Sequence, residues 1–255
     1  MKVYTLYVPG KTYIHKMNPL TKLLYLAVAI AIPFIAPDPA ITMACFLIGI
    51  FILGWAKVLH RVIYLLAMSI LFISTIFIIQ GLYYPGNTTP YLILGKLTFY
   101  KEGLIHAMVI SFRLVNIMIS ASVLVLTTRP SDLISSAVRR GISPRLGYVM
   151  SSVLQIIPQM ATTADTIMDA QKSRGLETEG NLKTRLKAYI PLLGPLVLGS
   201  LVSAQERAMA LEVRAFNATG KRTFLQNEED YTVSKAINAI IILALILTII
   251  WRIYS

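Results

Sequence analysis

The chain has 255 residues, 56% hydrophobic and only 14% charged, with a mean hydropathy of +0.66. Soluble domains carry about 25% charged residues, so the composition excludes an ordinary soluble domain and points to a membrane protein. Lys and Arg number 24 against 12 Asp and Glu, a net charge of +12, and in so apolar a chain that excess sets topology rather than marking a nucleic-acid partner. Cys45 is the only cysteine, which excludes an intramolecular disulfide and a cysteine-built zinc site.

In chain order, "PGKT" at 9–12 ends like a phosphate-binding loop, but Thr5 stands where that loop needs its first glycine. Residues 19–35 form the first apolar run, with Lys22 near enough to its start to snorkel. "APDP" at 36–39 breaks the helix. Runs at 39–56 and 62–81 contain no charge at all, and "LYYPGNTTP" follows as a turn-rich loop with interfacial tyrosines. A fourth run covers 103–128, interrupted only by Arg113, and a last one covers 233–251. Arg113 near mid-span costs at least ~2.5 kcal/mol unless paired or wetted. It either satisfies carbonyls or Asn116, one turn away, or it serves a site.

Residues 146–164 and 189–205 also lack charge. If both spanned, five basic residues between 172 and 187 would face outside, against the positive-inside rule. Keeping 129–232 in the cytoplasm gathers thirteen basic residues there. The reading is therefore an all-α polytopic membrane protein with about five spans and a cytoplasmic helical module inserted before the last. Residues 1–128 hold spans one to four, 129–232 the cytoplasmic helices and 233–255 the last span, with the N-terminus inside and the C-terminus outside. Apolar residues recur at Val149, Val153, Ile156 and Met160, and again at Leu193, Val197, Leu201 and Ala204, steps that mark packing stripes on two amphipathic helices. The first of these, from 145 to 173, would be about 43 Å long.

Both helices end alike: Ser173-Arg174-Gly175 and Val213-Arg214-Ala215. Each arginine either complements the negative end of its helix or, through a rigid fork of donors, docks on another protein. His15, His60 and His106 match no metal spacing, and no catalytic triad order is present, so the chain reads as a non-enzyme whose pumping would need a separate ATPase.

Five stretches then carry a resemblance: "HKMNPLTKLL" at 15–24, "FRLVNIM" at 112–118, "TTRPSDLISSAVRRGISPRLGYV" at 127–149, "DAQKSRG" at 169–175 and "AQERAMALEVRAF" at 204–216. In this order, across nearly the whole chain, they resemble the transmembrane T component of energy-coupling factor (ECF) transporters, the CbiQ/EcfT family. The family's Ala-Arg-Gly signature is altered here by Ser173, Val213 and Ala215, and Gln155 stands where many relatives carry arginine.

The resemblance implies a multi-pass protein of a prokaryotic cell membrane. Its partners would be membrane lipid, two ABC-type ATPase subunits gripped by Arg174 and Arg214, and a small membrane-embedded substrate-binding S component resting on the two helices. No nucleic acid is implied, and no cofactor in this chain, since ATP and Mg2+ would be bound by the ATPases. The cargo would be a vitamin or a transition-metal ion. A self-contained secondary transporter, or an anchor for a cytoplasmic partner that is not an ATPase, are the alternatives.

Overall fold

The computed structural model describes residues 7–10, 12–94, 97–176, 181–218 and 231–254. Their order is α1 (Tyr13–Lys16), α2 (Pro19–Ile35), α3 (Pro39–Trp55), α4 (Leu59–Tyr83), β1 (Pro90–Leu94), β2 (Leu97–Tyr100), α5 (Lys101–Thr127), α6 (Pro130–Arg139), α7 (Pro144–Ser173), α8 (Leu182–Val213) and α9 (Tyr231–Tyr254). The chain is an all-α polytopic membrane protein with one small hairpin. The elements form two units: α1 to α6 with the hairpin and α9 in one, α7 and α8 in the other.

Proline sets the starts. It occupies the first turn of α2, α3, α6 and α7, where a missing N–H costs nothing and the fixed φ favours the helix. In α2 and α3 a capping side chain precedes it: Asn18 accepts from the Leu20 N–H at 2.9 Å, and Asp38 from the Ala40 N–H at 2.9 Å. Lys57 turns the chain between α3 and α4 with φ of 58°.

In the first unit α4, α5 and the Ser234–Tyr254 part of α9 are long and apolar enough to cross a bilayer, while α2 and α3, at 17 residues each, sit at the short end of that range. Burial ranks them. In its most apolar window α5 is 44% buried, against 11% for α4 and none for α9. Helix α5 is thus the axle: it packs on α2, α3 and α4, and α9 lies against α2. Leu53, Val62, Val115, Ile119 and Val123 form the core around it. Outward, α4 shows Met68, Leu71 and Phe72, all more than two-thirds exposed, an arrangement suited to hydrocarbon rather than water.

Close approach depends on two glycines. A Cβ on Gly103 would meet the Gln80 carbonyl oxygen at 2.2 Å, and one on Gly49 would meet Ile119 Cγ2 at 2.6 Å. The hairpin pairs β1 with β2 antiparallel, Leu92 opposite Phe99. It falls in a stretch where apolar-run reasoning expects only loop. Glu102, in the first turn of α5, accepts from the Thr88 and Thr89 hydroxyls at 2.8 and 2.6 Å. A carboxylate there also meets the positive end of the helix.

Candidate functional site

The second unit carries the two arginine ends. Helix α7 runs Pro144–Ser173, within a residue of the sequence expectation, and α8 runs Leu182–Val213. Gly175 lies just past α7 with φ of 90°, and Ala215 just past α8 with φ of 52°. The closures match. The Leu176 N–H reaches the Gln171 carbonyl at 3.0 Å, and the Phe216 N–H reaches that of Leu211 at 3.0 Å. Both are the six-to-one bond of a helix ended by a left-handed residue. Arg174 and Arg214 each stand immediately before that residue, and both are exposed. Alanine fills the role of glycine in the second cap, although the left-handed region costs a residue with a Cβ about 1–2 kcal/mol.

Two side-chain pairs give the direction of α7 and α8. Tyr148 packs on Phe216 with ring centroids 5.3 Å apart, and Arg207 Nη2 donates to Gln159 Oε1 at 2.9 Å. Eleven residues forward on one helix match nine backward past the other, so the chain runs in opposite directions. Arg174 is then level with a residue near 192, some 22 residues before Arg214, which puts the two arginines on the order of 30 Å apart.

Of the expected stripe residues, Ile156, Met160 and Ala204 line a groove of about 180 Å3 between α7 and α8, with Thr163, Gly199 and Ser203. Val149, Val153, Leu193, Val197 and Leu201 lie outside it and are exposed. Ser173 and Val213 are exposed as the last residues of their helices. Small residues on α8 let α7 come near.

In the first unit, Arg113 and Asn116 have a specific employment. Proline has no N–H to give the carbonyl four residues back. Pro33, inside α2, therefore leaves the Ala29 carbonyl without its helical donor, and Pro37, just beyond α2, does the same to Pro33. Asn116 Nδ2 donates to Ala29 O at 2.6 Å and Arg113 Nη2 to Pro33 O at 2.8 Å. The guanidinium also lies over the Phe34 ring, 4.4 Å from its centroid. Of the two sequence readings of Arg113, carbonyl satisfaction is the one these contacts support.

Lys22 corrects an expectation. It does not snorkel: it is 1% exposed, and its Nζ donates to Thr127 O at 3.0 Å and His15 O at 3.4 Å. Thr127 is the last residue of α5, whose terminal carbonyls lack helical donors and whose end favours a cation. The Leu126 carbonyl beside it accepts from the Val8 N–H at 2.9 Å. His15 completes this junction: Nε2 donates to Val8 O at 3.1 Å and Nδ1 accepts from Thr12 Oγ1 at 2.6 Å. Burial, with the nearby Lys22 charge second, lowers the His15 pKa below its ordinary 6.5. Sequence marks Lys22 only as a snorkelling residue and does not single out the proline spacing, though proline four residues after a span residue is a readable signal. Among the described residues no three His, Cys, Asp or Glu side chains come together as a metal site.

Comparison with known proteins supplies the family. Residues 10–224 match the CbiQ family, described as a cobalt transport protein. The energy-coupling factor transporter transmembrane protein EcfT of Staphylococcus aureus is 31% identical over 235 residues, covering 85% of this chain and 84% of that one. EcfT of Clostridium kluyveri is 31% identical over 263 residues, 96% of each chain, and EcfT of Lactococcus lactis is 28% identical over 267 residues, again 96% of each. A match over most of the length, on a helical membrane scaffold with paired arginine caps, leads to one assignment. The chain belongs to the CbiQ/EcfT family of transporter membrane components.

Proposed function

We propose that this chain is the membrane scaffold of an ATP-driven ECF importer. The observation that carries the reading is the matched pair of caps, which offers two exposed arginines at opposite ends of one antiparallel helix pair. Each arginine docks in a groove on one of two ABC-type ATPase subunits, which bind ATP and Mg2+. The apolar faces of α7 and α8, including Val149, Val153, Leu193, Val197 and Leu201, support a small membrane-embedded S component. That component selects the cargo, a vitamin or a transition-metal ion.

Residues 129–232 and the N-terminus face the cytoplasm, and the C-terminus faces outside. Thirteen of 24 basic residues fall in 129–232, which favours that side. Docking alone transmits nothing; α7 and α8 must make different contacts in the two nucleotide states of the ATPases. The test is purification of the tagged chain from its own host's membranes in mild detergent. Two ATPase subunits and one small integral membrane protein are expected with it. A chain that purifies alone and transports in liposomes without ATP would overturn the reading.

A further inference from the structure

From the second unit we infer that Gln159 and Arg207 are positioning residues, a clasp that holds the two arginine ends in one fixed relation. The inference rests on the docking role proposed for Arg174 and Arg214.

The groove between α7 and α8 is poorly suited to fixing register by shape. Its α8 wall is mostly small, Gly199, Ser200, Ser203 and Ala204, with Leu196 the one bulky apolar side chain to interlock with Ile156 and Met160, and about 180 Å3 is left open. Smooth contact of this kind resists separation more than it resists sliding. A hydrogen bond is directional, and the one joining Arg207 Nη2 to Gln159 Oε1 at 2.9 Å sits at the edge of the groove, charge-assisted by the guanidinium.

Its place on α7 matters as much. Pro158, inside the helix, immediately precedes Gln159, and its missing N–H removes the bond to the Leu154 carbonyl. The point where α7 bends most readily is therefore next to the point at which a directional side-chain hydrogen bond ties it to α8. From the clasp to Arg174 is 15 residues, about 22 Å, and from Arg207 to Arg214 is 7 residues, about 10 Å. The clasp is a fulcrum with unequal arms. Without it the bend at Pro158 would absorb a displacement at one end instead of passing it to the other.

Distance measurement tests this directly. In a Cys45→Ala background, Lys172→Cys and Glu212→Cys would carry spin labels beside the two arginines, in the complex with its ATPases and S component. A single narrow distance is expected for the otherwise native chain and for Gln159→Glu, which keeps the link as an ion pair. Arg207→Met and Gln159→Leu should broaden the distribution at least twofold, with ATPase recovery unchanged within twofold. Equal widths in all four would overturn the clasp, as would a Gln159→Glu distribution as broad as that of Gln159→Leu. Loss of the ATPases from Arg207→Met would make the pair an assembly contact and also end the proposal. If the native chain itself recovered no ATPases, the docking reading would fail, while the widths measured on the chain alone would still report on the clasp.

Discussion

Ala215 holds a left-handed backbone that its counterpart Gly175 adopts freely. Replacing Ala215 by glycine relieves the Cβ clash but enlarges the unfolded chain's freedom, so a net gain of about 0.5–1 kcal/mol is expected. Gly175→Ala should lose about 1 kcal/mol, because no neighbouring atom crowds the added Cβ and only the φ of 90° opposes it. Thermal unfolding of the purified chain measures both. His15 adds a pH dependence. Its folded pKa lies below 6.5, so on acidification the unfolded state takes up the proton first and stability falls. The contribution is fully present above about 6.5 and is lost as pH drops through the lower, folded value. A plot of melting temperature against pH should slope down below about 6.5 for the native chain and flatten for His15→Gln.

At the scale of elements, the joint between α2 and α5 is a set of replaced hydrogen bonds. Asn116→Leu would leave a buried carbonyl at Ala29 with no donor, at about 1–3 kcal/mol. In a Pro33→Ala background residue 33 regains an N–H for that same carbonyl, so the cost of Asn116→Leu should shrink by about 1 kcal/mol. A double-mutant cycle on unfolding free energy reads this difference, and strict additivity would refute the account. The spans themselves were legible because each is a long apolar run with at most one charged residue, and prolines mark the starts of two of them: 19–35 and 39–56 became α2 and α3 almost residue for residue. What stayed hidden was the use of the polar groups. Whether Lys22 snorkels or caps α5 depends on a helix end 105 residues away, which no local pattern records. The stripes on α7 and α8 were partly legible for a related reason. Small and apolar residues lie on several sides of α8, so periodicity alone did not single out Gly199 and Ser203 as its side facing α7.

For the whole molecule the separation of the arginines governs the expected genetics. Residues on the order of 30 Å apart with no shared partner act independently. Arg174→Glu and Arg214→Glu should each weaken recovery of the ATPases at least tenfold, and the double substitution should approach the product of the two losses. Quantitative pull-down from co-expressed subunits measures this; a double mutant no worse than either single one would mean that both arginines serve one contact. The caps have a further consequence for how such a chain can change its length. Each arginine is delivered by an unbroken run of helix, 15 residues beyond Gln159 in one case and 7 beyond Arg207 in the other. Inserting or deleting a single residue in either run would turn the arginine about 100° around the axis. Seven residues would bring it nearly back into phase but about 10 Å farther out. Insertions and deletions should therefore be absent from 159–174 and 207–214 in functional relatives, whatever the sequences there, and should accumulate between α7 and α8 instead.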